Sequence, residues 1–453
     1  MLIRDIFNAY YDGDYDKIKK LIENDYTYEK YYKGDILSHL LCEEGNAQMI
    51  EFFMNNYYKE ILSSICVKNS EGNTPLHILC SKGNLNLIEY FITKCSDQIK
   101  QSIYIKNNDG NTPLHILCME CNLHIIEFFM NNYYQYIEPI INMRNDRGNT
   151  MLHILCMKGD LEIVKCLTEK FYDQIKISIC IKNYNYCTPL HILCKKGNSQ
   201  IIKYLMENYY QQIVLIMCIK NSDGPLHILC SKGNLDLIKY FMNICYDQIK
   251  QSICIQNAYG DTPLHILCEG NNLNIIEYFI KIFKEEIKPI ICMQNKNGDT
   301  LLHILFMKGN LEIIKHFMEE YKEQIKQSIN IKNKYSDTML QTLLIKDNLE
   351  ILRCFIEEFK EQIKQIMCVK NKYGNTILHK LCMKGDIKVV KCFIKEFKEQ
   401  IKQSICMQNN YGNTPFHLLC ENDILKLMPY LMNGCKEQLK QSIYIKNIYG
   451  NTP

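Results

Sequence analysis

Thr74-Pro75-Leu76-His77-Ile78-Leu79-Cys80 decides the reading of this chain, because these seven residues, or a near copy, return along almost its whole length. Marked by the histidine or the residue standing in its place, the copies fall at His39, His77, His115, His153, His191, His227, His265, His303, Gln341, His379 and His417. Every step is 38 residues except His191 to His227, which is 36. A fixed self-similar period in the range of about 20–50 residues marks a repeat architecture, in which each unit buries its apolar side against its neighbours.

Around His77 the unit can be read residue by residue. Gly72 suits a turn, Thr74 can cap the first amides of a helix, and Pro75 fits the first helical position. Leu76, Ile78, Leu79 and Cys80 then form a short helix that is apolar on most sides and ends near Lys82-Gly83-Asn84. A second helix follows, with Leu85, Leu87, Ile88, Phe91, Ile92 and Cys95 at helical spacing and Glu89, Lys94 and Asp97 turned to solvent. Ile103-Tyr104-Ile105-Lys106 is short and β-branched and leads into Asn107-Asn108-Asp109-Gly110, which predicts an extended arm folding back through a turn.

Helix, turn, helix and projecting finger behind a TPLH motif resemble the ankyrin repeat, and the resemblance covers essentially all 453 residues. It implies an all-α fold, an α-solenoid of about twelve helix-turn-helix repeats with projecting β-hairpin fingers. The family's repeat has about 33 residues, so about five more must be accommodated here, between the second helix and the finger. Pro139 and Pro289 fall in that stretch, so the expectation is an extra helical turn and then a break. Residues 1–33 read as an N-terminal capping repeat without TPLH, 34–440 as the repeat array, and 441–453 as the start of a further repeat that is cut short. Three repeats are irregular: the turn glycine is lost near Tyr186, two residues including the capping threonine are missing before Leu226, and both glycine and histidine are replaced between Ser336 and Gln341.

Twenty-four cysteines fit the repeat rather than a disulfide framework. Nine end the first helix (Cys42, Cys80, Cys118, Cys156, Cys194, Cys230, Cys268, Cys382 and Cys420), and seven lie on the expected finger strand (Cys66, Cys180, Cys218, Cys254, Cys292, Cys368 and Cys406). Free cysteine packs as a small apolar residue, and this many thiols without a signal-type leader point to an intracellular, reducing setting, cytosolic with the nucleus as an alternative. The net charge of +3 selects no partner by bulk charge, and the longest apolar run, Ile213 to Ile219, is too short to insert in a membrane.

The His-x-x-Cys spacing is a possible half of a zinc site, but ligands from neighbouring helices about 8–10 Å apart do not meet on one ion at about 2 Å. A Cys-His pair repeated along a rod lacks the single cleft that catalysis needs, and neither a phosphate loop nor a His-Glu-x-x-His helix is present. No enzyme, no cofactor and no small-molecule substrate are expected. Two rows remain that the fold does not need. The resemblance places the residues after each first helix toward the groove that faces partners: here Met119, Met157, Met307 and Met383 accompany Lys82, Lys158, Lys196, Lys232, Lys308, Lys346 and Lys384. Basic residues also recur on the finger, among them Lys106, Arg144, Lys182 and Lys220. Such rows serve either as solvated cations at helix C-termini or as contacts to an acidic-hydrophobic segment of another protein. A protein-binding scaffold or adaptor that takes its partner through the concave groove and finger tips is the reading favoured, and the targeting arm of a larger enzyme or channel continuing past Pro453 is the alternative. Nucleic acid ranks last, for want of aromatic residues interleaved with the lysines. The finger asparagines, from Asn69 to Asn447, are expected to form a structural ladder.

Overall fold

The computed structural model describes residues 2–24, 37–218, 223–345, 348–422 and 425–453, and contacts divide the chain into two compact units, Met1–Ile216 and Met217–Pro453. Within each unit the same repeat stacks on itself, first helix against first helix: Pro75–Lys82 on Pro113–Glu120 in one, and Pro225–Lys232 on Pro263–Gly270 in the other. These helices are buried nearly all round, which is why they show no amphipathic stripe. Leu76, Leu79 and Cys80 are all at most 1% exposed.

Local chemistry sets the ends of each helix. Thr74 stands at the N-cap in extended geometry, and Gly83 closes the helix at φ 70°, its N–H reaching the Leu79 carbonyl at 3.1 Å. Asn84 then caps the second helix, Leu85–Lys94, accepting from the Leu87 N–H at 3.2 Å. Tyr186 and Ser336 stand where other fingers have glycine and adopt φ 60° and 56°, so those two joints keep the repeat geometry at a strain of about 1–2 kcal/mol each.

The five extra residues fold differently from the expectation of a longer helix and then a break. The break comes first. Cys95 leaves helical geometry at φ −126° and ψ 39°, and a separate third helix, Ser96–Ser102, follows. The same break recurs at Phe171, Phe283, Tyr321 and Phe397, each fully buried. Turning the backbone there lets a bulky side chain enter the core and redirects the next turn, so that Ile99 and Ile103, four residues apart, are also fully buried. Pro139 ends its third helix in a 3₁₀ turn, Glu138–Ile140, whereas Pro289 is accommodated within Lys284–Ile290.

The fingers differ too. Among the described residues there is no strand, only one isolated bridge between Lys332 and Thr338, so the β-hairpins expected from the resemblance are hydrogen-bonded turns. Ile103 stays in helical geometry as the C-cap of the third helix, and the Ile105 N–H turns back to the Ser102 carbonyl at 3.1 Å, which leaves nothing to pair as an arm. Each finger closes on itself, Asn107 N–H to the Asn111 carbonyl at 2.8 Å, and makes one backbone bond to its neighbour, Asn108 N–H to the Glu71 carbonyl at 3.0 Å. Close approach explains the glycine here: a Cβ on Gly72 would lie 2.5 Å from the Asn108 nitrogen.

The third helix is therefore part of the core, and truncating it should behave as a core deletion. Ile325→Ala, at a fully buried site, is expected to destabilise its repeat by about 2–5 kcal/mol, read as faster local hydrogen exchange across 311–345. A loss below about 0.5 kcal/mol would mean the third helix is a surface appendage. Gly224, which stands in the N-cap position at φ −74° and ψ 169°, has a conformation open to threonine. Gly224→Thr should raise the thermal midpoint of that repeat, a stabilisation of about 1 kcal/mol, if the cap hydroxyl is what this joint lacks.

Candidate functional site

Three rows of residues repeat along each unit, and hydrogen bonding sorts those that hold the stack from those that face outward. The histidines hold it. The Thr74 N–H donates to His77 Nδ1 at 3.0 Å, which leaves the proton on Nε2, and Nε2 donates to the Asn111 carbonyl of the next repeat at 3.0 Å. His153, His379 and His417 bridge in the same way to the carbonyls of Cys187, Asn413 and Asn451 at 3.0–3.1 Å. In His77, His153, His379 and His417 both ring nitrogens are thereby committed to the fold. Burial holds the imidazoles of His77, His115, His153, His265 and His379 down to about 4, well below the usual histidine range. At Gln341 the amide repeats the arrangement, Oε1 accepting the Thr338 N–H at 2.9 Å and Nε2 donating to the Asn375 carbonyl at 3.1 Å.

The finger asparagines form the expected ladder. Asn107 Oδ1 accepts the Asn111 N–H at 2.9 Å within its own finger, and its amide donates to Asn73 Oδ1 of the preceding one at 2.9 Å. In the second unit the receiving side chain is often a carboxylate: Asn295 donates to Asp261, Asn333 to Asp299 and Asn371 to Asp337, at 2.9–3.0 Å. This partner, four residues after each ladder asparagine, was not singled out in the sequence, although Asn or Asp recurs there from Asn73 to Asn451. Asn221 lies outside the described residues.

Eight of the nine cysteines that end the first helix are buried, Cys420 being half-buried, and burial raises the Cys80 and Cys156 thiols well above the usual range, so they stay protonated. The seven assigned to a finger strand lie instead just after the third helix. Six are half-buried and Cys180 is exposed. Their thiols face a backbone carbonyl of the next repeat, as Cys66 Sγ does Gln98 at 3.3 Å and Cys406 Sγ does Gln438 at 3.3 Å. Asn142, at the same position, makes that bond with its amide at 3.1 Å to Gln174.

The basic finger residues are tied down as well. Lys106 Nζ donates to the Arg144 carbonyl at 2.7 Å, and Arg144 Nη2 donates to the Lys182 carbonyl at 2.7 Å, each reaching one repeat onward. Lys182 is half-buried, and Lys220 and Lys346 lie outside the described residues. The row after the first helices faces outward. Lys82, Lys158, Lys196, Lys232, Lys308 and Lys384 are exposed, as are Met157 at 37% and Met383 at 48%, while Met119 and Met307 are half-buried. Lys82 meets Glu43 of the preceding repeat at 2.7 Å, Lys308 is 4.0 Å from Glu269, and Lys384 Nζ donates to the Ile345 carbonyl at 2.7 Å. Exposed pairs of this kind add little stability, so most of the row's charge remains at the surface.

A family model for ankyrin repeats, in blocks of three copies, matches residues 6–101, 39–139, 95–179, 134–215, 174–247, 213–290 and 346–441. No curated protein sequence matches the chain. The stretch between the last two matches keeps the same helices, Leu301–Lys308, Leu311–Glu320 and Lys322–Ser328.

Because the buried histidines are neutral when folded and their pKa is depressed, their contribution to stability is complete above about pH 6.5 and is lost as pH falls toward about 4. Each should cost about 1.4 kcal/mol per pH unit within that window. Thermal unfolding followed by circular dichroism between pH 7.5 and 4.5 is expected to show this decline. A His77→Gln, His115→Gln, His153→Gln variant, imitating Gln341, should flatten it, and an unchanged slope would assign the acid sensitivity elsewhere.

Proposed function

The chain belongs to the ankyrin repeat family, and from that premise we propose that it is a protein-binding scaffold whose partner docks along the lysine and methionine row at the C-terminal ends of the first helices. Ankyrin repeats are in general protein interaction modules. The observation that carries the finer reading is the contrast between rows. The histidine, asparagine and finger-arginine positions spend their polar groups on a neighbouring repeat, whereas in the helix-end row Lys158, Lys196 and Lys232 present exposed ammonium groups and Lys82, Lys308 and Lys384 meet the preceding repeat only at the surface, beside flexible apolar side chains. Lysine with methionine suits an acidic-hydrophobic partner segment, the ammonium groups attracting charge and the thioethers adapting to irregular apolar shapes. The chemistry of the repeat motif argues the same way, since the one recurrent Cys-His pairing is buried and committed to the fold. No described helix is long and apolar enough to cross a membrane.

Replacing Met157, Lys158, Met307 and Lys308 together is expected to abolish capture of the partner while moving stability by less than about 0.5 kcal/mol per site. Partners would be identified by affinity capture and mass spectrometry with the unaltered chain, then compared with the quadruple variant. Leu155→Ala, fully buried, supplies the unfolding control at about 2–5 kcal/mol. A folded quadruple variant with unchanged capture would reduce the row to a solvated face.

A further inference from the structure

One first helix of the second unit is cut short. Met339–Leu343 has 5 residues, where Leu301–Lys308 before it and Ile377–Lys384 after it have 8. Those two close on a glycine in left-handed geometry, Gly309 at φ 76° and Gly385 at φ 74°. Met339–Leu343 instead runs into Leu344 at φ −63°, and the Ile345 N–H turns to the Thr342 carbonyl at 3.0 Å. The finger before it carries Ser336 in the glycine position at φ 56°, and Ile345 is 47% exposed. Losing the last helical turn leaves carbonyls that the helix itself no longer satisfies.

The next repeat supplies partners for them. The residue after the motif histidine is isoleucine in seven successive repeats, from Ile78 to Ile304, then Thr342 and then Lys380. Lys380 Nζ reaches back to the Asp337 carboxylate at 2.8 Å and donates to the Gln341 carbonyl at 3.3 Å, while Lys384 Nζ donates to the Ile345 carbonyl at 2.7 Å. The Lys380 and Asp337 side chains are 15% and 9% exposed, the most buried lysine–carboxylate pair among the described residues. Asp337 also grips the other side of the joint. Its carbonyl accepts from His303 Nε2 at 3.2 Å, and its carboxylate accepts the Asn371 amide at 2.9 Å. Asp261 and Asp299 take the same ladder bond in earlier fingers, but there Ile304 and Thr342 stand where Lys380 does.

We propose that the Lys380–Asp337 pair is the latch of a hinge inside the second unit: it holds the short helix Met339–Leu343 docked, and the stack parts at this joint first when the pair is broken. A buried ion pair suits a latch. It holds while both partners are present and gives way when one is removed, because the group left behind is an unpaired charge out of water. Apolar packing, which holds the regular joints, weakens only in proportion to the area lost. Three other features lower the cost of opening at the same place: the left-handed Ser336, the missing helical turn, and a cavity lined by Leu344, Leu381 and Val389 beside both lysines. Stability in a repeat array is a sum of unit and neighbour terms, so one interface can open while the repeats on either side stay folded. The hinge lies between Lys308 and Lys384 of the helix-end row, so its opening interrupts that row whatever the partner is.

Hydrogen exchange of the full chain, read by mass spectrometry on peptides covering residues 339–345, tests the latch. Lys380→Ile restores the residue of the regular repeats, and Asp337→Asn installs the amide that Asn111, Asn149 and Asn375 already offer to the ladder, so this fold accepts both side chains at those places. Each variant is expected to speed exchange across 339–345 at least about tenfold while leaving 301–308 and 415–421 unchanged. In the double variant the two effects should not multiply: with no charge left on either side, exchange should be no faster than in Asp337→Asn alone. Unaccelerated exchange across 339–345 in even one single variant would overturn the latch, because apolar contacts would then suffice to hold the short helix. Multiplying effects would overturn it too, since the two residues would be acting separately. Faster exchange throughout the second unit, 301–308 and 415–421 included, would overturn the hinge, because the pair would then support the whole unit and not one joint.

Discussion

A neutral imidazole held between two repeats is the constraint on which the rest of this structure depends. Its Nδ1 must accept from the threonine amide that starts its own helix, and its Nε2–H must reach a carbonyl in the finger of the next repeat. One side chain therefore sets the helix start, the tautomer and the spacing between neighbours at once. That is the reason the motif barely varies along the chain, and the reason Gln341 is tolerated: an amide presents an acceptor and a donor in the same relation. Leaving either buried partner without its bond would cost on the order of 1–3 kcal/mol.

Around that polar seam the core is built from small contributions repeated many times. The eight buried cysteines that close first helices are too buried to ionise or react, and their row extends the apolar packing between neighbouring helices. The third helix adds a second apolar row. Its outer edge is bridged differently in different repeats. Tyr134 stacks on Phe171 with ring centres 4.9 Å apart, and Tyr172 on Tyr209 at 5.0 Å, whereas Lys284 pairs with Glu320 at 2.5 Å and Lys360 with Glu396 at 2.6 Å. Aromatic and ionic contacts alternate at one position because the apolar seam beneath supplies the stability and the edge need only avoid repulsion.

Function in such an array resides in what the seam leaves over. Positions whose polar groups are consumed by the next repeat cannot vary without loosening the stack, so they carry little information about a partner. The helix-end row meets the preceding repeat only through exposed contacts, and the residue before each turn glycine varies, Glu71, Asp109, Arg147 and Asn185 in the first unit and mostly tyrosine in the second. An interaction surface can change from repeat to repeat at such positions with almost no effect on folding.

The sequence by itself determined the repeat, its period, both principal helices and their caps, because turn glycine, cap residue and helical periodicity act over a few residues that a local pattern contains. It also marked the histidine and asparagine rows as structural and the lysine and methionine row as surplus. Only the tertiary structure decided that the five extra residues form a separate helix behind a buried aromatic, that the fingers are turns and not hairpins, and that the strand-like cysteines face carbonyls of the next repeat. Each of these depends on contacts between residues some 28 to 41 positions apart, such as His115 with Met143 or Tyr209 with Thr168. Isoleucine in Ile103 and Ile105 favours a strand only when a second strand lies beside it, and the neighbouring repeat offers a single backbone bond and an apolar pocket instead.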